Sequence, residues 1–403
     1  MYFDSNKKEE CCGCTACMNA CPTSAIKMKE DEEGFLYPVI NEESCIHCNL
    51  CRKVCCWENT SYDNVSEPIT IASVLKDKEE RQKSTSGGVF YAIAKWVINQ
   101  GGIVYGAAFD KDMQLHHIGA RSLEELQKIR GSKYLQSELG TSYKDVKNHL
   151  DIGQWVYFTG TGCQVAGLKK YLRKDYSNLI TSDLVCHGVP SQKLFNKHMA
   201  YMEQKYHDKV VDFRFRDYKS GIGCETCYFE KREPIINPTY ELSPYLYSFM
   251  YGFTFRMSCY ECKFAKVPRQ GDITLADFWG VEHFIPKIDR NNGVSLILLN
   301  TKKGEAIWNI IKGDCYSYKS RVVDAAKYNA NLIDKSTKPR IRERIYQIIE
   351  EKDYSYAVSH YFRSPQYFKI KTTLLIHRCH FLNSFMNVIR SIKKLINNFR
   401  FER

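Results

Sequence analysis

Two runs of cysteine leave the front of this chain little freedom. Cys11-x2-Cys14-x2-Cys17-x3-Cys21-Pro22 is followed by Cys45-x2-Cys48-x2-Cys51-x3-Cys55, with 23 residues between Cys21 and Cys45. A cuboidal iron–sulfur cluster takes three thiolates from one tight loop and a fourth from elsewhere, and each run offers that set. Zinc sites usually pair two CxxC knuckles rather than a triplet and a distant fourth. Disulfides between cysteines this close would be strained. The runs therefore predict two [4Fe-4S] clusters, and a reducing interior for a chain with 18 cysteines. Cys12 and Cys56 sit beside ligand positions but are spare by spacing, either free thiols or substitutes for Cys11 and Cys55. The second run continues Cys55-Cys56-Trp57, without the proline that follows Cys21.

Between the runs, Ile26 and Met28, then Phe35, Tyr37 and Val39, alternate around Asp31-Glu32-Glu33-Gly34, the pattern of a hairpin with a glycine-containing turn. By spacing and hairpin, about sixty residues resemble the two-cluster bacterial ferredoxins, in which the fourth cysteine of each run serves the other cluster. That resemblance implies one cluster on Cys11, Cys14, Cys17 and Cys55, and another on Cys45, Cys48, Cys51 and Cys21.

With 403 residues the chain has room for two or three domains. The first ten residues hold no apolar stretch of a secretory signal, and no run of about eighteen apolar residues suggests a membrane span. A cytoplasmic protein is the expectation. The net charge of +12 is uneven: from Arg363 onward nine Lys/Arg face the single acid Glu402, so +8 sits in the last tenth. A basic tail on a near-neutral body does not read as a nucleic-acid-binding domain.

Past the cysteine runs, a strand at Thr70–Leu75 leads to Ser84-Thr85-Ser86-Gly87-Gly88 and an apolar helix from Val89. Open backbone N–H groups at such a helix start suit an anion such as a dinucleotide pyrophosphate, or Ser86 simply caps the helix. Strands at Ile103–Phe109 and Leu115–Gly119 follow, and His116 and His117 on the second face opposite ways as structural residues. A helix capped by Ser122 precedes Arg130-Gly131-Ser132-Lys133-Tyr134, whose donors suit phosphate or a flavin edge, or are a charged surface loop. Strand, turn (Thr159 to Gln164), helix and strand from Trp155 to Val185 imply a parallel pair. Cys163 and Cys186 both fall past the carboxyl ends of these strands, where open α/β sheets bind ligands. Together they are half a cluster site, or two inert buried thiols. Cys224-x2-Cys227 lies in a glycine-flanked loop, and Cys259-x2-Cys262 follows an aromatic-rich segment.

Six motifs now stand in order: Ser84 to Gly88, Arg130 to Tyr134, Gly160 to Gln164, Cys186-His187-Gly188-Val189-Pro190-Ser191, Ser258 to Cys262, and Asp272 to Gly280. They resemble the coenzyme F-420 hydrogenase/dehydrogenase beta-subunit family over roughly residues 70 to 335, with the ferredoxin module in front. Gly162 departs from the proline common there. The resemblance implies a flavin-containing iron–sulfur oxidoreductase. FAD would be held near Ser86, Gly87, Gly88, Arg130, Ser132, Lys133, Gly160 and Thr161. A third [4Fe-4S] would sit on Cys163, Cys186, Cys259 and Cys262, with Cys224 and Cys227 as a competing pair. The fold class expected is α+β: a ferredoxin-like domain over 1–62, an α/β catalytic part with a flavin-binding region over 70–150 and a C-terminal catalytic region over 151–335, and a basic helical tail over 336–403.

Electrons would enter at the ferredoxin clusters from a donor such as ferredoxin, or exchange with a deazaflavin. They would reach FAD and leave as hydride to a small-molecule substrate. Related bacterial proteins accompany surface-polysaccharide synthesis, which offers one setting. His187 is a candidate proton donor, with a structural histidine as the alternative. A pure electron-transfer subunit of a larger redox complex is the competing function, and a colourless zinc protein a third. From Thr372 to Phe399, Leu382, Phe385, Met386, Ile389, Ile392, Leu395, Ile396 and Phe399 fall at helical spacing opposite Arg390, Lys393 and Lys394. That helix would lie on an anionic membrane surface or pack on the body.

Overall fold

The computed structural model describes residues 1–217, 219 and 224–374. The front module is built on a hairpin of β1 (Ile26–Glu30) and β2 (Leu36–Ile40), paired antiparallel. Its turn is closed by Asp31, whose Oδ1 accepts from the backbone N–H of Glu33 and of Phe35 at 3.1 and 2.8 Å. Gly34 completes the turn at φ +87°, and a Cβ there would lie 2.3 Å from that of Lys193. The glycine thus serves both the turn and the approach of the body. Phe35 and Tyr37 are buried as the alternation expects, whereas Val39 is exposed.

Behind it lies a mixed α/β body. Its strands are β3 (Ile69–Leu75), β4 (Ile103–Phe109), β5 (Leu115–Ala120), β6 (Val156–Thr161), β7 (Leu179–Leu184), β8 (Val210–Asp217), β9 (Cys224–Phe229), β10 (Ile235–Asn237), β11 (Ile273–Asp277), β12 (Ser295–Leu299) and β13 (Cys315–Ser320). Eight of them form one sheet in the order β13-β3-β12-β11-β7-β6-β4-β5. β11, β7, β6 and β4 run parallel, and the pairs toward both edges are antiparallel. Residues 70–150 and 151–335 therefore contribute strands to the same sheet. The central strands are buried on both faces, as strands covered by helices on each side are, and the polar Thr181, Ser182 and Asp183 of β7 are buried with them. Val104, Tyr157, Ile180 and Ile297 meet the helix Val89–Asn99 on one side, and Ile103, Val156, Phe158 and Leu179 meet the helix Gly162–Leu172 on the other.

A smaller antiparallel sheet, β10-β9-β8, packs with the helix Gln192–Tyr206 around Phe195, Phe213, Phe215 and Tyr245. Cys227 is buried in that aromatic core. The expected glycine-flanked loop at Cys224 and Cys227 is therefore corrected: the backbone joining them is an extended strand, not the turn a metal knuckle needs. The helices Ile345–Lys352 and Tyr354–His360 close the same core. Most of the expected amphipathic tail helix, from residue 375 on, lies outside the described residues.

The module is bound tightly to the body. Arg342, 1 % exposed, forms a fork with Glu33 at 2.9 and 2.5 Å and also donates from Nε to the Phe255 carbonyl at 2.7 Å. Ser191, which caps the helix Gln192–Tyr206, donates its hydroxyl to the Glu33 carbonyl at 2.6 Å. A planar guanidinium meeting a carboxylate in this way fixes orientation as well as distance.

Candidate functional site

Each cysteine run turns through two left-handed residues into a short helix. Gly13 (φ 69°) and Thr15 (φ 60°) precede the helix Ala16–Ala20; His47 (φ 50°) and Asn49 (φ 57°) precede Leu50–Lys53. Such turns curl the chain around a centre. The first cavity is lined by Cys11, Cys14, Cys17 and Cys55 together with Cys12, Cys56 and Trp57. A second is lined by Cys21, Cys45, Cys48 and Cys51. The fourth cysteine of each run has crossed to the other run's cavity. Both linings are rich in thiols, the donor set that suits iron–sulfur clusters. Burial pushes the Cys11 thiol up to about 11 and raises that of Cys17 as well. Hydrogen bonds from Cys12 and Cys56 bring Cys14 down to about 6.

A third group of thiols forms inside the body. Thr161, the last residue of β6, caps the following helix through a reciprocal box with Gln164, which sets Cys163 in its first turn. The Thr161 hydroxyl lies 3.1 Å from the Cys163 sulfur. Cys186 follows β7. Gly188 (φ 136°) lets its loop lie on Phe255, whose ring a Cβ would meet at 2.3 Å. That contact seats the loop beside the short 3-10 turn Met257–Glu261, which carries Cys259 and leads into Cys262. The four thiols are close enough to shift one another. Cys186 is raised to about 12 by burial and by Cys163 and Cys262, and Cys262 to about 11 by burial and by Cys163. Cys259 rises through burial, Cys186 and Cys262. The structure thus brings together all four residues that the sequence resemblance implies for a third cluster.

Cys12 and Cys56 line the front cavity on its side toward this group. Their sulfurs are 3.8 Å apart, and the Cys56 sulfur is 3.6 Å from that of Cys14 and 3.7 Å from the Cys163 carbonyl oxygen. Trp57, Ala166 and Phe264 wall the pair. Spacing leaves both residues spare, yet their meeting follows from the crossed lining: each comes directly after Cys11 or Cys55, which share a cavity.

Sequence reasoning missed Arg256. It is 1 % exposed and donates to the carbonyls of Cys11 and Leu36 at 2.8 and 2.9 Å and to the Gln136 side-chain oxygen at 3.2 Å. Its guanidinium stacks over Tyr37, 4.1 Å from the ring centroid. Gln136 in turn donates to the Cys12 carbonyl at 3.0 Å. A buried cation therefore stands against the loop that carries Cys11 and three positions before Cys259.

Of the residues expected at a flavin, two segments meet and the third lies elsewhere. Ser132 donates to Thr85 at 3.0 Å, and Arg130 to Ser84 at 3.0 Å and to Glu80 at 2.5 Å. Arg130 is thus already paired with a carboxylate and stacked on Tyr91 at 4.4 Å. Lys133 donates to the carbonyls of Lys128, Ile129 and Arg130 at the end of the helix Leu123–Ile129, and burial pulls its amine down to about 7. Ser86 does not cap the following helix; it donates to the Val294 carbonyl at 3.2 Å, and Gly88 (φ 91°) starts that helix. Gly87 is pressed on the sheet, where a Cβ would lie 2.2 Å from the Ser73 carbonyl oxygen. Gly160 and Thr161 belong to the Cys163 turn. Neither cation is free for a pyrophosphate, so the fit to FAD at these residues is incomplete. His187 has both ring nitrogens engaged, with Asn331 at 2.7 Å and the Met250 carbonyl at 3.0 Å. His117 is likewise held, by Ser137 and the Thr159 carbonyl.

Comparison with known proteins gives two matching regions. Residues 153–322 match the family described as the C terminus of the coenzyme F420 hydrogenase/dehydrogenase beta subunit. Residues 10–59 match the 4Fe-4S dicluster domain. Among solved structures, a chain of the xenon-derivatized F420-reducing [NiFe] hydrogenase complex from Methanosarcina barkeri is similar at a TM-score of 0.45 and 19 % identity, over 72 % of this chain and 89 % of that one. No curated protein matches.

Proposed function

This chain is an iron–sulfur redox protein related to the coenzyme F420 hydrogenase/dehydrogenase beta subunit, with a 4Fe-4S dicluster domain at its front, and from that premise we propose that it is a three-cluster oxidoreductase. Cys11, Cys14, Cys17 and Cys55 would hold one [4Fe-4S], Cys21, Cys45, Cys48 and Cys51 a second, and Cys163, Cys186, Cys259 and Cys262 a third. The domains follow as 1–62 for the dicluster module, one shared body over 70–335, and a basic tail. Bound in these places, the clusters supply one-electron transfer at potentials tuned by hydrogen bonds and solvent.

The chain's own residues separate an outer end from an inner one. Cys48 is exposed and Ile46 is 63 % exposed, so the second cavity opens to a docking electron carrier, a protein of the ferredoxin class. The first cavity faces the body, where Trp57 and Phe264 exclude water from the thiols beyond it. Arg256 and Arg342 keep that face closed. In such a buried site the Arg256 charge is screened less from the groups beside it than it would be in water. FAD, a deazaflavin partner, a small-molecule substrate and a setting in surface-polysaccharide synthesis complete the proposal. They rest on the sequence resemblance, and the engaged Arg130 and Lys133 put any pyrophosphate contact on neighbouring backbone. Peripheral attachment to an anionic membrane through the basic tail is proposed from its sequence alone.

The observation that carries this reading is the convergence of Cys163, Cys186, Cys259 and Cys262 from three separate segments. Its test is iron counting on a Cys186→Ala variant prepared without oxygen. Loss of about four irons per chain, with the other clusters kept, is expected for one cubane. Unchanged iron would remove the third centre. Flavin released on denaturation, at one per chain, tests the FAD part separately.

A further inference from the structure

We propose that Cys12 and Cys56 form a redox-active dithiol/disulfide couple, a two-electron store in the wall of the front cavity that faces the Cys163 group. The inference rests on the reading above, because electrons must reach the module. Neither residue belongs to the three ligand sets, and they are 44 positions apart in the chain, yet their sulfurs stand 3.8 Å from each other. They are 6 % and 0 % exposed. Trp57, Ala166 and Phe264 pack around them on the body side, and the remaining side faces the first cavity, so once that cavity is filled a small soluble thiol such as glutathione has no line of attack on the pair. What does touch it is one sulfur and one carbonyl: the Cys14 sulfur of the first cavity, 3.6 Å from that of Cys56, and the Cys163 carbonyl oxygen at 3.7 Å. A pair so placed exchanges electrons through its neighbours and is shielded from the bulk thiol pool.

On oxidation two S–H bonds break, one S–S bond forms, two protons go to water and two electrons leave one at a time through the module. Their acceptor is an oxidised one-electron carrier protein of the ferredoxin class at the exposed Cys48 end. On reduction the same carrier, reduced, returns both electrons, two protons are taken up and the S–S bond opens. The couple is two-electron, whereas every neighbouring carrier takes one.

The test uses the full-length, cluster-loaded protein. Anaerobic samples are poised with dithionite or with indigo disulfonate, denatured, alkylated, digested and mapped by mass spectrometry. The expected result is a Cys12–Cys56 linked peptide in the oxidised sample and both residues alkylated in the reduced one, at equal iron content. A coulometric titration of wild type should take about two electrons more per chain than Cys12→Ser or Cys56→Ser. Both thiols alkylated at every potential, or equal electron counts, would overturn the couple. So would one zinc per chain that both variants lose, since it would make the sulfurs metal ligands. Iron and sulfide on the same samples separate the two readings. Clusters present without a linked peptide sink the couple alone; a chain lacking iron and sulfide sinks the proposed function along with it.

Discussion

Gly167→Ala should weaken this protein, although the same change in an ordinary helix would strengthen it. Gly167 is in the middle of the helix Gly162–Leu172, where alanine is favoured over glycine by about 1 kcal/mol. Here a Cβ would lie 2.8 Å from the Cβ of Cys14, 2.8 Å from the Tyr143 hydroxyl and 3.0 Å from the Cys14 sulfur. Tyr143 is fully buried and donates to the Gln164 carbonyl at 2.6 Å, so it cannot swing aside. Cys14 is fixed by its turn. Forcing a methyl into such a contact costs about 1–3 kcal/mol, which exceeds the helix gain and leaves a net loss of about 1 kcal/mol. The damage should centre on Cys14, so iron per chain should fall along with the urea midpoint. Gly313→Ala, with nothing within 4 Å of its Cβ, is the control and should stay within about 0.5 kcal/mol. A Gly167→Ala protein that gained about 1 kcal/mol and kept its iron would refute the close packing of module on body.

Other outcomes follow from the buried charges. Arg256→Met should cost about 3–5 kcal/mol, since the carbonyls of Cys11 and Leu36 lose a charged donor. Amide exchange over residues 1–59 should rise, and Arg256→Lys should recover part of it. Arg342→Ala should cost about 3–5 kcal/mol by stranding the Glu33 carboxylate. The Arg342→Ala/Glu33→Ala double variant should recover part of that in thermal denaturation. Burial raises the Glu225 carboxyl to about 7, against Ser243 and Asn237, which hydrogen-bond to it. Because the folded chain holds this proton more tightly than the unfolded one, Glu225 adds stability below about pH 4.3 that is lost as pH rises toward 7. The loss is a few kcal/mol at most, and Glu225→Gln should flatten the slope of the urea midpoint against pH.

The front module was legible because its signal is local. Two loops of fixed spacing and a hairpin of alternating residues need no knowledge of the rest of the chain. Cys163 and Cys186 were legible one step further out, since a strand–helix–strand unit has one handedness and puts both strand ends at one edge. The meeting of Cys12 with Cys56 could have been drawn from the crossed ligand sets. Arg256 and Arg342 could not: a single arginine in an aromatic or polar stretch carries no period, and its partners Cys11 and Glu33 lie more than 240 residues away. Arg130 misled for the same reason. Its partner Glu80 is 50 residues upstream, and from sequence alone the cation looks free for phosphate. Glycines beside Cys224 suggested a loop, but Cys227, Phe229 and their aromatic neighbours pull that segment into the small sheet, where packing overrides the turn signal.

Iron and acid-labile sulfide counted per chain on protein purified without oxygen bear most directly on the whole account. Three cubane sites predict about twelve of each, with electron paramagnetic resonance of the reduced sample showing interacting clusters. About eight of each would leave only the front pair, and a colourless chain carrying zinc and no sulfide would contradict the account at its root.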